Sequence, residues 1–245
     1  MKINIKQALA ESARISKENF GSIAKIYAVI ALLLTVMRLA ALRFTPTLLD
    51  NPDMYIKYGL IGTVFIIAGA VIVTKLLLGF YIYIDSLIDK NKVRFSDAYR
   101  QTKGKFWLAV RCAFLVSLLF VPYLVVNLTN IPVNQLFSLI YSAVVSSLVY
   151  VLYPMIAIEP RTDQYLRKSI QMVRGNFFAV FVFTFTTTTF LTTVSDTLAY
   201  FFSDTINDIL ITEMIYALVY FFITSFSSTL NVVVYRKLKE NHFSA

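Results

Sequence analysis

Six long apolar segments alternate with short polar ones along the chain. They occupy 22–43, 58–84, 106–128, 134–157, 177–202 and 209–235. At a rise of about 1.5 Å per helical residue, each is long enough to cross a hydrocarbon core of about 30 Å. Pro46 and Pro52 follow the first segment, and Pro160 ends the fourth. The pattern predicts an all-α, polytopic integral membrane protein with about six transmembrane helices, arranged as three helical hairpins.

The composition agrees with this prediction. Of the 245 residues, 58% are hydrophobic and 15% are charged, and the mean hydropathy is +0.68. Soluble domains carry about 25% charged residues. We therefore expect a single transmembrane domain over 1–245 with no separate soluble catalytic domain. Arg38 and Arg43, rather than a small-residue cleavage site, follow the first apolar run, so we expect that run to remain as an anchor and not as a signal peptide.

Basic residues are concentrated in alternate connections. Of the 23 Lys and Arg residues, 18 lie in four segments: 1–25, 86–105, 158–176 and 235–245. Only two lie in the intervening connections: 43–58, 129–134 and 203–213. Because cytoplasmic loops carry the excess of Lys and Arg, this split predicts that both termini are cytoplasmic. The same placement explains the net charge of +9 without a nucleic-acid partner.

A similar amphipathic stretch precedes each odd-numbered apolar segment and ends at Phe20, Phe106 or Phe177. A small residue stands eight positions before each Phe, and a basic residue stands three positions before it. The pattern predicts repeat-like units at about 1–85, 95–157 and 163–240, each opening with a cytoplasmic interfacial helix. The alternative is that any cytoplasmic segment that enters a bilayer is basic and then aromatic.

Four basic residues are expected at the level of the lipid headgroups: Lys17, Lys103, Arg111 and Arg174. A basic residue near an anionic membrane surface gains about 1 kcal/mol. The predicted partners are therefore membrane lipids, of the anionic class. A protein partner or a second copy of the chain remains a further alternative.

Several segments resemble one family. They are 153–159 (Tyr-Pro-Met-Ile-Ala-Ile-Glu), 166–169 (Leu-Arg-Lys-Ser), 173–177 (Val-Arg-Gly-Asn-Phe) and the closing 232–239. They resemble the bacterial glycerophosphoryl diester phosphodiesterase membrane-domain family and its stand-alone YciC-like relatives. The resemblance implies a multi-pass architecture in the bacterial plasma membrane. It implies no chemistry, because no phosphodiesterase domain is present. Arg161 and Asp163 depart from the small residues frequent in that family.

Polar residues at membrane depth are the candidates for a functional site, because they are costly there. Lys75 lies ten residues before Asp85, about 15 Å from the predicted cytoplasmic boundary. Its side chain either reaches back toward the headgroups or lines a water-filled cavity or ligand site. Arg38 and Asp196 have compatible depths and are predicted to form a structural ion pair.

Threonines recur along the fifth apolar segment. Thr186, Thr189 and Thr193 share one helical stripe with Asp196. This stripe is either a helix-packing face or a hydrophilic lining opposite Lys75 or Arg38. Just after the fourth segment, Glu159 is predicted to form a structural ion pair with a nearby basic residue, Arg167 first and Arg161 or Lys168 as alternatives.

Motifs for catalysis are missing from the sequence. His242 is the single histidine and the chain has seven glycines, so neither a histidine metal site nor a phosphate-binding glycine loop is expected. We expect no cofactor, no metal and no enzymatic activity.

The pattern favours a non-enzymatic membrane protein that acts through partners or lipids, as an accessory or scaffold subunit, an envelope-homeostasis factor or an immunity protein. The alternative is a small transporter or lipid-handling permease that uses Lys75 and the threonine stripe. An intramembrane enzyme is the third hypothesis.

Overall fold

Helices account for nearly all of the chain that the structure describes. The computed structural model describes residues 3–50, 52–91, 93–119, 121, 135–160, 164–201 and 206–243. The regular structure in these ranges is entirely helical, which confirms the predicted class. The helices are α1 (Ile5–Glu18), α2 (Phe20–Asp50), α3 (Pro52–Ile88), α4 (Phe95–Gln101), α5 (Phe106–Leu119), α6 (Gln135–Leu148), α7 (Leu152–Ile158), α8 (Tyr165–Arg174), α9 (Phe177–Phe201) and α10 (Ile206–Phe243).

Four stretches of the described helices are long and apolar enough to cross a membrane. They are Phe20–Met37, Ala68–Ile88, Ile140–Ile158 and Ala217–Asn241. Two shorter apolar helices occupy Phe106–Leu119 and Phe177–Thr187. These stretches fall within or overlap the six predicted apolar segments. The fold is that of a helical protein with several helices suited to a membrane.

The first two long helices extend beyond their predicted bounds. We expected a break at Pro46, but α2 continues to Asp50. α3 then begins at Pro52, the first helical position, where the missing N–H of a proline costs no intrahelical hydrogen bond. The boundary between α2 and α3 is therefore set by the second proline rather than the first.

The fourth apolar segment forms two successive α-helices, α6 and α7. The α-helix is interrupted over residues 149–151, between α6 and α7. Pro154 lies in the first turn of α7 and has no N–H to offer the preceding turn. The backbone N–H of Leu152 bonds to Val149 O at 3.0 Å, and the Ser169 hydroxyl donates to Leu148 O at 3.3 Å. The interruption is therefore partly compensated by a side chain from α8.

Each of the three aligned phenylalanines begins a helix, namely α2, α5 and α9. A shorter helix precedes each of them: α1, α4 and α8. The small residues eight positions before the phenylalanines are Ser12, Ala98 and Ser169, and all three are completely buried. Small side chains at these positions let the short helices approach their neighbours closely.

The helices form three successive groups, α1–α3, α4–α7 and α8–α10, that pack in a ring. The short helix of each group lies on a long helix of the preceding group: α4 on α3, α8 on α6 and α7, and α1 on α10. The following apolar helix does the same: α5 on α3, α9 on α6, and α2 on α10. The first group therefore closes the ring by packing on the last.

The best-buried core lies where α7 meets the C-terminal parts of α3 and α10. α3 packs on both α7 and α10. The side chains of Phe80, Ile84, Leu152, Val232 and Tyr235 are completely buried there. This core supports a cluster of charged residues at the ends of the same three helices.

Candidate functional site

The charged cluster, which we call the charged end, consists of Asp85, Asp89, Glu159, Arg236 and Lys239. Arg236 connects α10 with α3: its Nε donates to Asp85 Oδ1 at 2.5 Å. Its two terminal nitrogens donate to the two carboxylate oxygens of Asp89 at 2.5 and 2.6 Å. Bidentate arginine–carboxylate pairs combine strength with a fixed geometry.

Glu159, the residue directly after α7, completes the charged end. Its Oε1 accepts a hydrogen bond from the Tyr235 hydroxyl at 2.7 Å and lies 3.4 Å from Lys239 Nζ. We expected Arg167 to be the partner of Glu159, but Arg167 is exposed and the structure supplies Lys239 instead. Lys105 Nζ donates to the backbone oxygens of Ala157 and Glu159. Because Lys105 directly precedes α5, these hydrogen bonds attach the start of α5 to the charged end.

A second feature is an exposed belt of basic and aromatic residues where α2, α5 and α9 begin. The predicted headgroup residues Lys17, Lys103, Arg111 and Arg174 are all exposed. At the helix starts, Phe20 is 54% exposed, Trp107 is 74% exposed and Phe178 is 77% exposed. Large apolar side chains exposed beside basic ones are typical of a membrane interface.

Lys75 lies on α3 and is partly buried. Its ammonium group is 5.1 Å from the centre of the Phe106 ring, a distance suited to a cation–π interaction. Phe106 begins α5, three residues after Lys103, which the sequence predicts at the headgroup level. The placement favours the interpretation in which the Lys75 side chain reaches back toward the interface.

The threonine stripe divides between exposed and buried positions. Thr186 and Thr193 are exposed, and the Thr186 hydroxyl donates to Val182 O in its own helix at 2.8 Å. Thr189 Oγ1 is buried without a hydrogen-bond partner among the described residues. The side chains of Arg38 and Asp196 lie outside the described part of the structure. The stripe lies on α9, whereas Lys75 lies on α3 beside α5.

A buried polar cluster between α2, α3 and α10 escaped the sequence reasoning. The Tyr27 hydroxyl lies 3.1 Å from Ser228 Oγ, and Tyr81 and the Asn231 side-chain oxygen are buried in the same region. No short-range sequence pattern indicates that residues about 200 positions apart, such as Tyr27 and Ser228, will meet.

The described residues contain no group of three or more His, Cys, Asp or Glu side chains that could hold a metal ion. No family model, curated protein or solved structure matches this chain. Its class therefore rests on its own fold and site: an all-helical protein with membrane-compatible apolar helices, a charged end tied by ion pairs, and a basic and aromatic belt.

Proposed function

We propose that the chain is a non-enzymatic multi-pass membrane protein that acts through anionic lipids or through partners held at the lipid surface. Six spans and two cytoplasmic termini fit this proposal best, because they place the belt at the cytoplasmic headgroups of a bacterial plasma membrane. Accessibility of an introduced Lys90→Cys thiol to a membrane-impermeant reagent, added from each side, tests the orientation.

The observation that carries the proposal is the repeated pairing of an exposed cation with an exposed aromatic ring. Lys17 precedes Phe20, Lys103 precedes Trp107 and Arg174 precedes Phe178, each within four residues. A cation at the headgroup level and an aromatic ring just below it are both favourable at the surface of an anionic bilayer.

The transporter alternative has less support. It needs Lys75 and the threonine stripe to line one polar passage, yet Lys75 lies against Phe106 and Thr186 is exposed on another helix. The charged residues of the charged end are bound to one another, so they serve to hold helices together. A scaffold or accessory role therefore remains the best reading of these residues.

Lipid-dependent stabilisation of the purified protein tests the proposal. Phosphatidylglycerol is titrated into the detergent-solubilised protein, with phosphatidylcholine as the uncharged comparison, and Tm is followed. Tm should rise with phosphatidylglycerol. In the double variant Lys103→Glu with Arg174→Glu, the midpoint of the titration should move up by about 20- to 30-fold, since each residue is worth about 1 kcal/mol.

A matched control makes the same change in net charge elsewhere. Lys90→Glu with Lys168→Glu reverses two exposed residues that do not occupy the aligned positions. This control should bind phosphatidylglycerol nearly as the wild type does. Equal midpoints for the wild type and the Lys103/Arg174 variant would contradict the proposal.

A further inference from the structure

An apolar pocket lies between α1, α9, α10 and the interruption that separates α6 from α7. It is open on one side, and the empty space between its walls and in its mouth is about 340 Å³. Side chains from all four elements line it, among them Ile5, Ala8, Tyr150, Ala179, Phe183 and Val234. Residues 149–151 are not α-helical, and Tyr150 from this interruption forms part of the wall. Irregular backbone at membrane depth is tolerated where it is buried or lines a cavity.

The interior of the pocket suits a hydrocarbon and not a polar ligand. All its lining side chains are apolar except that of Tyr150. The Tyr150 ring packs edge-on against Phe183, at 5.8 Å between ring centres, and its hydroxyl is buried. A polar group placed in the pocket would lose its hydration without gaining hydrogen bonds.

Two exposed basic residues, Lys6 and Arg174, stand close along the chain to lining residues of the pocket, beside the belt. The backbone N–H of Ile3, another lining residue, donates to Asn176 Oδ1 at 2.7 Å, which joins the rim to the turn between α8 and α9. Arg174 precedes this turn and is exposed, and Lys6 is exposed on α1 between two lining residues. Phe178, two residues beyond Asn176, is the most exposed aromatic of the belt.

We infer that this pocket takes one acyl chain of an anionic phospholipid whose headgroup lies between Arg174 and Lys6. The occupant follows from two properties that occur together: an apolar interior and a cationic rim. An acyl chain gains from each methylene group that it buries, and the headgroup phosphate is attracted to the two cations. This inference rests on the proposed lipid-dependent function and assigns it a site.

Photocrosslinking tests the inference directly. The protein is reconstituted with phosphatidylglycerol that carries a diazirine on one acyl chain, irradiated, digested and analysed by mass spectrometry. Crosslinks should concentrate on residues 3–8, 150 and 179–183. Ala179→Trp should fill the pocket and reduce these crosslinks several-fold. Val182→Trp adds the same side chain to an exposed position of the same helix and should leave them unchanged.

Headgroup binding at the rim and acyl-chain binding in the interior can be tested separately. Arg174→Glu should weaken pocket crosslinking by phosphatidylglycerol about fivefold and crosslinking by diazirine phosphatidylcholine far less. If Tm still rises with phosphatidylglycerol but wild-type crosslinks avoid the pocket peptides, the pocket assignment is overturned and the proposed function stands. Pocket crosslinks without any preference for phosphatidylglycerol, and without a rise in Tm, would overturn both. Because the wild-type crosslink map needs no variant, a misfolded Ala179→Trp protein would not remove the test.

Discussion

Arg236 determines how the ends of α3 and α10 are joined. Its guanidinium binds two carboxylates one helical turn apart, and its Nη2 also donates to Asp85 O at 3.2 Å. Lysine could not replace it, because an ammonium group lacks the planar fork that fits a carboxylate in bidentate fashion. The neighbouring Tyr235 joins α10 to Glu159, so two adjacent residues connect α10 to two different helices.

The ion pair of Asp89 predicts a pH dependence. Hydrogen bonds from Arg236 lower the pKa of Asp89 below its usual range. Such a group contributes stability above the unfolded-state pKa of about 3.9, and the contribution is lost as pH falls through the folded-state value. At pH 6 to 7, Asp89→Asn should therefore lower the free energy of unfolding by about 1 kcal/mol or less, because the carboxylate is half exposed.

Denaturation of both proteins in detergent from pH 7 to pH 3 measures this difference. The difference in the free energy of unfolding between the wild type and Asp89→Asn should disappear below about pH 4. In an Arg236→Gln background the same substitution should have little effect at any pH. If this difference in free energy grew as the pH fell, the proposed role of the Asp89–Arg236 ion pair would be contradicted.

At the scale of the element, α4 lies directly against α3 because Gly79 has no side chain. A Cβ at this position would lie 3.2 Å from the Cα of Tyr99 and 3.4 Å from the Phe95 ring. Ala98, between these two residues, is completely buried, and the Phe95 ring packs edge-on against Tyr83. Gly104 then takes a φ of 84° in the turn between α4 and α5, a conformation that glycine adopts at little cost.

The close contact predicts that Gly79→Leu destabilises the protein. Overpacking at a backbone contact costs about 1–3 kcal/mol, because α4 must move away from α3. Gly21→Leu is the matched control, since no atom lies within 4 Å of the Cβ position there. Thermal denaturation of the two variants should show a loss of stability only for Gly79→Leu. Equal Tm values for the two variants would show that α4 does not depend on this contact.

At the scale of the whole molecule, contacts between the two ends of the sequence close the ring. Lys237 Nζ on α10 lies 2.9 Å from Glu11 Oε2 on α1, and both side chains are partly buried. The Ile3 backbone N–H bonds to Asn176, from the last group of helices. Each group thus packs on the one before it, and the first packs on the last.

Exchange of the two charges tests the closure of the ring. Lys237→Glu should destabilise the protein by about 1 kcal/mol, because it places two carboxylates together. Adding Glu11→Lys should restore most of the loss, which a double-mutant cycle followed by denaturation would measure as coupling. Glu18→Lys, an exposed position on the same short helix, should not restore it. Additive losses for Lys237→Glu and Glu11→Lys would mean that this contact does not hold the ends together.

The sequence by itself determined the helical class and the points where α2, α5 and α9 begin. Hydrophobic runs of helical length and the Phe at each start are local signals, readable within about 20 residues. The buried small residues Ser12, Ala98 and Ser169 belong to the same local pattern. The apolar span predicted at 134–157 corresponds to the membrane-length stretch Ile140–Ile158, within which residues 149–151 form a turn just before Pro154.

Only the tertiary structure decided which residues meet. Glu159 bonds with Tyr235 and Lys239 instead of the nearby Arg167, and Tyr27 meets Ser228 across 201 positions of sequence. The apolar pocket likewise needs Ala8, Tyr150 and Val234 to come together from different groups of helices. Hydrophobic periodicity indicates that a helix has a face to bury. The partner of that face depends on how all the helices pack together. A local sequence pattern does not contain that information.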